Sequence, residues 1–210
     1  MAVRLGDHAP DFVAQTTEGE IEFHAWKGDR WAVLFSHPAD FTPVCTTELG
    51  MVAARKAEFD ARDTLVMGLS VDGVEDHRRW AADIEETQGT ALNFPLAADP
   101  DGAIADAYDM IHPSSNPRLT IRSVFVISPD NTVALTLTYP PSVGRNFDEV
   151  LRVLDALQLT HNRGLATPAS WQQGDRVFVS PSIDDATARA TFGEFEAERP
   201  YLRLVAQPAA

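Results

Sequence analysis

The only cysteine among 210 residues, Cys45, stands in the run Phe35-Ser36-His37-Pro38-Ala39-Asp40-Phe41-Thr42-Pro43-Val44-Cys45-Thr46-Thr47-Glu48-Leu49. Thr42 followed by Pro43 is a helix-start signal. Threonine can cap the first free amides, and proline tolerates the first helical position because its missing N–H would be unpaired there anyway. Cys45 then falls in the first helical turn. Unpaired amides and the positive end of the helix dipole favour a thiolate there, and the thiolate is the reactive form. The Thr42 hydroxyl is also within chain reach of the sulfur. A lone cysteine is commonly a small buried hydrophobe. Three threonines and a proline around this one are not an apolar stripe, so Cys45 is read as a nucleophile.

A nucleophile needs partners. Of six histidines, only His37 lies near Cys45 in sequence. It can face the sulfur as an acid–base partner, or be satisfied by backbone carbonyls, and the residues leave both open. Arg122 stands directly before the apolar run Val124–Ile127, with Arg118 four residues earlier. A cation at the mouth of a buried strand calls for a nearby anion, and a thiolate qualifies; an exposed strand-edge arginine is the plainer alternative. His77 and His112 are isolated, and one cysteine among scattered histidines lacks metal-ligand spacing, so no metal site is expected.

The elements that must position these groups follow from the hydrophobic pattern. Trp31–Phe35 is an apolar run that stops at a polar, Pro-containing cluster, as a buried strand does on leaving its sheet. A helix from about Pro43 to Arg62 and a strand over Leu65–Val71 complete a βαβ unit. Val74–Thr87 has helical spacing, with Trp80, Ala81 and Ile84 on one side. A short extended Phe94–Leu96 and a small helix over Ile104–Tyr108 follow, and then the Pro- and Ser-rich loop Ile111–Pro117. Ser123–Ile127 and Val133–Tyr139 flank Ser128-Pro129-Asp130-Asn131-Thr132, the pattern of a hairpin. Asn146 is placed to cap a helix running to about Leu157. After Thr160 the character changes: Arg163–Pro168 reads as a linker. The remaining segment offers strands at Val177–Val179 and Tyr201–Val205, too little to bury a core without packing on something else. The organisation expected is a main domain over 1–162 and an appendage over 163–210.

With 17 basic against 31 acidic residues the formal charge is −14, and the acids are scattered. Nucleic acid and anionic membranes are therefore poor partners. The N-terminal residues lack a signal-peptide apolar core, and no stretch approaches a membrane span. One cysteine forms no intrachain disulfide, which agrees with a reducing compartment; a cytoplasmic location is expected.

Pro38-Ala39-Asp40-Phe41-Thr42-Pro43-Val44-Cys45 resembles the Pro-x-x-x-Thr-x-x-Cys signature of the peroxiredoxins. The longer run from Ser36 to Leu49 is similar to that of their 1-Cys subfamily. Further matches at Val74–His77, Arg122–Val126, Tyr139–Pro141, Gly144–Glu149, Leu157–Thr160 and Thr167–Trp171 carry the resemblance over nearly the whole chain. It implies an α/β, thioredoxin-like fold with a small appended C-terminal domain that takes part in dimer contacts. It also implies a peroxidase that reduces hydrogen peroxide and organic hydroperoxides through a sulfenic acid on Cys45, without a cofactor.

The resemblance assigns roles as well. Cys45 attacks the distal peroxide oxygen; Thr42 hydrogen-bonds thiolate and peroxide; Pro38 shields the pocket; Arg122 holds the thiolate and orients the substrate. Val44 joins Thr42 and Arg122 in binding substrate, Arg145 and Glu48 support them, and His37 matches the subfamily's active-site histidine. A homodimer, extending to a ring such as a decamer, is expected.

Two departures matter. Where some 1-Cys members carry a Gly-x-Ser-x-Gly-like site credited with lipase activity, this chain has Gly28-Asp29-Arg30-Trp31-Ala32. Arg30 replaces the serine, so lipase activity is not carried over despite His24 and Asp130. No second cysteine exists to resolve a sulfenic acid, so the reductant must come from outside; an external thiol or thiol protein is expected, with a non-thiol donor as the alternative. The competing readings are a non-enzymatic redox sensor or chaperone switched by Cys45 oxidation, and a Cys45/His37 hydrolase.

Overall fold

A computed structural model describes residues 3–208. Contacts divide the chain between Asn146 and Phe147 into two compact units. In the first, β1 (Val13–Thr16) and β2 (Gly19–Glu22) precede helix α1 (Phe23–Lys27) and strand β3 (Trp31–Ser36). Then come α2 (Pro43–Ala54), α3 (Lys56–Asp60), β4 (Thr64–Ser70), α4 (Val74–Gln88), β5 (Leu96–Ala98), α5 (Ala103–Ala107), β6 (Arg122–Ile127) and β7 (Val133–Tyr139). The strands form one mixed sheet in the order β2-β1-β5-β4-β3-β6-β7.

The apolar run at Trp31–Phe35 becomes an interior strand between β4 and β6, buried at every position, as a run without polar alternation requires. It lies parallel to β4, so the expected βαβ unit forms, and antiparallel to β6. The β6–β7 hairpin pairs from Arg122↔Tyr139 to Ile127↔Val133, with Asn131 at φ 60 in its turn. One face of the sheet packs a core that includes Phe23, Leu34, Met67, Leu69, Tyr108 and Phe125. Helix α4 buries His77, Trp80 and Ile84 on one side and ends at Gly89 (φ 70), whose N–H closes on the Glu85 carbonyl.

Within the first unit the structure departs from the sequence expectation in three places. The helix expected over 43–62 is two helices, with Arg55 between them at φ −101, ψ 10 and its guanidinium held by Glu58. The short segment read at Phe94–Leu96 gives only its last residue to a strand, β5 at Leu96–Ala98, which adds to β4 in parallel. The β1–β2 hairpin carried too short a pattern to be read; its turn rests on Gly19 at φ 107, a conformation that suits glycine.

The second unit holds α6 (Phe147–Thr160), β8 (Leu165–Ala166), β9 (Val177–Val179), α7 (Asp185–Phe192), β10 (Glu196–Arg199) and β11 (Leu202–Val205), with a sheet ordered β10-β11-β9-β8. Its core gathers Leu159, Leu165, Trp171, Val177, Val179 and Val205. Asp184 caps α7 by accepting the Thr187 N–H at 2.8 Å. The stretch read as a linker contains β8, paired to β9 through Leu165↔Val179. Two residues are too few to show strand periodicity. Among the described residues no helix is long and apolar enough to cross a membrane.

Lys27 is fully buried at the end of α1. Its Nζ donates to the carbonyls of Gly28 (2.9 Å), Arg30 (3.0 Å), Ser128 (3.1 Å) and Pro129 (3.0 Å). The ammonium thus ties the turn before β3 to the turn between β6 and β7. Burial pushes its pKa down, against the opposing charges of Asp29 and Asp130. Replacing Lys27 by Met strips four carbonyls of their donor, which is expected to cost about 2–3 kcal/mol. Urea unfolding followed by circular dichroism measures it, and an unchanged midpoint contradicts the assignment.

Candidate active site

Because β6 runs antiparallel to β3, the start of β6 lies beside the end of β3, where the chain leaves the sheet toward α2. This register brings Arg122 to Cys45, 77 residues away in sequence, with Nη1 at 3.3 Å from Sγ. Cys45 is the third residue of α2 and is fully buried. Arg122 is 2% exposed, which removes the alternative of a solvated strand-edge cation. Arg118 is exposed, with its backbone N–H on Asn116 Oδ1 at 2.9 Å.

Glu48, one helical turn beyond Cys45, joins two arginines. Its Oε2 accepts from Arg122 Nη1 and Arg145 Nη2, both at 2.7 Å. Its Oε1 accepts from the Arg145 backbone N–H at 2.7 Å and from Nε at 3.0 Å. The remaining donors are used on backbone: Arg145 Nη1 reaches the carbonyls of Ser36 (2.8 Å) and Ser123 (3.0 Å), and Arg122 reaches that of Pro141 through Nε (3.0 Å) and Nη2 (2.8 Å). Arg145 also lies over the Phe35 ring at 4.9 Å. Burial alone would raise the Glu48 pKa. The hydrogen bonds and charge of Arg145, with the charge of Arg122, outweigh it and hold the carboxyl below its ordinary range. Two guanidiniums against one carboxylate leave one unbalanced positive charge beside the sulfur.

Thr42 is the N-cap residue of α2, but its hydroxyl does not cap the helix. It donates to the Ala39 carbonyl at 2.9 Å, so the hydrogen bond to sulfur considered from the sequence is absent in this state. The Thr42 carbonyl accepts from the Thr46 N–H (3.0 Å) and hydroxyl (2.8 Å), which seats the first turn. Pro38 is buried, and Val44 is half-buried with its Cγ1 facing Gly144.

His37 is at the end of β3 with its side chain turned to a carboxylate: Nε2 is 2.8 Å from Asp40 Oδ1. The other Asp40 oxygen is 2.6 Å from Nδ1 of His77, delivered by α4. His77 Nε2 lies 3.3 Å from the Ala97 carbonyl, and His37 Nδ1 is buried without a partner. Burial pushes the His37 pKa down against the pull of Asp40. For Asp40, burial raises the pKa, but the hydrogen bonds and charges of the two imidazoles outweigh it and lower the net value. His77, isolated in sequence, is therefore part of the cluster. Its ligand-type atoms and those of His37 and Asp40 lie within 4.8 Å of one another, though each imidazole contact to the carboxylate is a hydrogen bond rather than a vacant coordination position. Neither Asp40 nor His77 was legible as a site residue, because they reside on different elements at no recognisable spacing.

Residues 5–136 match the AhpC/TSA family, and residues 156–194 match the C-terminal domain of 1-Cys peroxiredoxin. The chain belongs to the 1-Cys peroxiredoxins of the AhpC/TSA family. A 1-Cys peroxiredoxin of Dictyostelium discoideum is 46% identical over 207 residues, covering 98% of this chain and 86% of that one. The crystal structure of a cysteine-to-serine mutant of peroxiredoxin 6 of Arenicola marina superposes with a TM-score of 0.94 at 40% identity, covering all of both chains. The yeast mitochondrial 1-Cys peroxiredoxin gives a TM-score of 0.92 at 46% identity, over 97% of this chain and 99% of that one. The α/β, thioredoxin-like fold with an extra C-terminal sheet is that of the family. As a peroxiredoxin the protein is a thiol-dependent peroxidase, and it has one cysteine with which to work.

Glu48 gives a pH-dependent prediction. Its folded-state pKa lies below the ordinary 4.5, so the stability it contributes is present above that value and is lost as pH falls through the lower, folded-state one. Glu48→Gln is expected to destabilise the peroxiredoxin by about 3 kcal/mol or more at pH 7, because two buried arginines lose their anion. The gap to the parent narrows on acidification, where Glu48 itself becomes neutral. Urea titrations at pH 7 and pH 3.5 read both arms; an equal gap at both pH values contradicts an ionised Glu48.

Proposed function

We propose that Cys45 is the peroxidatic residue through which this peroxiredoxin reduces hydrogen peroxide and organic hydroperoxides. The observation that carries this reading is the Arg122 Nη1 contact to Sγ, with Arg122 itself oriented by Glu48 and the Pro141 carbonyl. The thiolate attacks the distal peroxide oxygen. An S–O bond forms as the O–O bond breaks, and the departing oxide takes a proton to become water or an alcohol. The unbalanced positive charge at the site stabilises the negative charge that develops on the leaving oxygen. Arg122 orients the peroxide, Val44 lines its approach, and Pro38 helps exclude water. For Thr42 to hydrogen-bond thiolate and peroxide, its hydroxyl must rotate away from the Ala39 carbonyl, a single χ1 change. His37 acts through Asp40 in the arrangement observed, while Arg145 and Glu48 hold Arg122.

The sulfenic acid is reduced from outside. One thiol condenses with it to a mixed disulfide and water, and a second thiol releases Cys45 as a thiol. The yeast mitochondrial relative has a thiol-resolving mechanism described through glutathione and thioredoxin systems, which supports a small thiol or a thiol protein as the reductant class here. A homodimer, extending to a ring, is the proposed assembly. The cytoplasmic location rests on the lone free cysteine and its need for a reducing compartment. A yeast relative 47% identical to this chain is named as mitochondrial, and cell fractionation distinguishes the two compartments.

Cys45→Ser is expected to abolish peroxide consumption while leaving the circular dichroism spectrum unchanged. Retained turnover removes the reading, and a single stoichiometric oxidation of the parent without turnover on added thiol favours a sensor instead. Arg122→Lys keeps the charge but loses the forked geometry that reaches sulfur, Glu48 and Pro141 together. Its rate of Cys45 oxidation is expected to fall by at least about a hundredfold, measured by stopped-flow fluorescence with hydrogen peroxide.

A further inference from the structure

The segment between β3 and α2 leads directly into the helix turn that bears Cys45, and apart from the His37–Asp40 hydrogen bond it is held by contacts that the peroxide chemistry described above does not use. Asp40 is 7% exposed and makes three hydrogen bonds. Its carboxylate accepts from His37 on one oxygen and His77 on the other, and its backbone N–H donates to Asp72 Oδ2 at 2.9 Å. Asp72 is in turn fixed by the Ser70 hydroxyl at 2.8 Å, at the end of β4. The contacts come from three elements: the end of β3, the end of β4 and α4.

His77 is oriented for this task. Nδ1 faces a carboxylate and Nε2 a carbonyl, so both neighbours are acceptors and the ring serves as the donor to Asp40. His37 is pinned by its backbone as well, its N–H to the Leu69 carbonyl (3.0 Å) and its carbonyl to the Thr120 hydroxyl (2.5 Å). Immediately after Asp40 the chain bends through Phe41 at φ 54, a left-handed conformation that costs a bulky residue about 1–2 kcal/mol. Phe41 is half exposed, with its ring 6.3 Å from that of Trp80. An exposed aromatic does not hold itself in that conformation; the fixed residue before it and the helix start after it impose the bend. The next residues are Thr42, whose hydroxyl must serve the sulfur, and the turn that bears Cys45.

We propose that Asp40 and His77 are positioning residues for the peroxide step: the imidazole–carboxylate–imidazole clasp holds Pro38–Thr42 closed over Cys45 in the geometry that meets the peroxide. This rests on the assignment of Cys45 as the peroxidatic residue. It also separates the two half-reactions. Attack on peroxide is a transfer to a small molecule at a fully enclosed sulfur and needs the closed wall. Reduction needs a bulkier thiol sulfur to reach the Cys45 sulfenic acid, displacing water as the S–S bond forms, and the fully buried Sγ is not open to it while the clasp is shut. Loosening the clasp therefore slows the first half-reaction and does not slow the second.

The test uses His77→Leu, which removes the donor to Asp40, and His77→Asn, whose side-chain amide takes the place of Nδ1. Single-turnover oxidation by hydrogen peroxide is followed by fluorescence, and reduction of the oxidised protein by dithiothreitol by mass spectrometry. His77→Leu is expected to slow oxidation by at least about tenfold with reduction as fast as in the parent or faster, and His77→Asn to recover most of the oxidation rate. The proposal is overturned if folded His77→Leu oxidises at the parental rate, or if both half-reactions fall by the same factor, as a general loss of folded protein would produce. Should His77→Leu fail to fold, Asp72→Ala decides: it removes the acceptor shared by the Asp40 N–H and the Ser70 hydroxyl and leaves both imidazoles in place, and a smaller shift of the same kind is expected, while parental rates in both half-reactions refute the clasp. Loss of all Cys45 oxidation in the parent itself would instead refute the peroxidatic assignment.

Discussion

The structure depends on a carboxylate that cannot be solvated. Glu48 is buried in α2, and the ion could not remain there without donors to replace water. Five groups within reach shape its surroundings: two guanidiniums, one backbone N–H, and through Arg145 the carbonyls of Ser36 and Ser123. They come from three stretches of chain, so satisfying this one ion fixes α2 against the end of β3, the start of β6 and the 140–145 loop. The Cys45 sulfur inherits its environment from that arrangement. Its arginine is placed first by Glu48 and the backbone, and only then by the sulfur.

Sheet topology supplies the rest. Parallel pairing of β3 with β4 aligns their ends, so that Ser70 and Asp72 arrive beside the loop leaving β3. Antiparallel pairing with β6 brings a strand start to that same edge. One edge of the sheet thus carries both the reactive cluster around Cys45 and the clasp around Asp40. The two lie on either side of the short segment Pro38–Thr42. The chemistry is that of a 1-Cys peroxiredoxin, and its division into an oxidation inside the fold and a reduction from outside follows from burying the one cysteine.

What was legible in the sequence was what local pattern encodes. The run at Trp31–Phe35 declared a buried strand, and Thr42-Pro43 a helix start with Cys45 in its first turn, though the threonines around Cys45 did not reveal that it is fully buried. Arg122 stood out because a cation before an apolar strand needs an anion. The rest depends on pairings that no local pattern holds. Asp40 looked like an ordinary loop acid and His77 like an isolated histidine; only the packing of α4 against the loop makes them partners. Thr42 was read toward the sulfur because of its spacing, whereas in this state a carbonyl three residues back is the nearer acceptor. Strand β8 escaped because two residues show no period, and the break at Arg55 because no proline or glycine marks it.

The double hydrogen bond from Arg122 to the Pro141 carbonyl bears on how so small a substrate is recognised. Hydrogen peroxide has two heavy atoms, and even the most efficient small ligands gain no more than about 1.5 kcal/mol per atom, roughly 3 kcal/mol in all. Ordering a free arginine side chain alone would consume up to about 2 kcal/mol of that. By anchoring the guanidinium to its own backbone, the protein settles that entropy during folding, and the substrate's few contacts go to orienting its oxygen–oxygen bond.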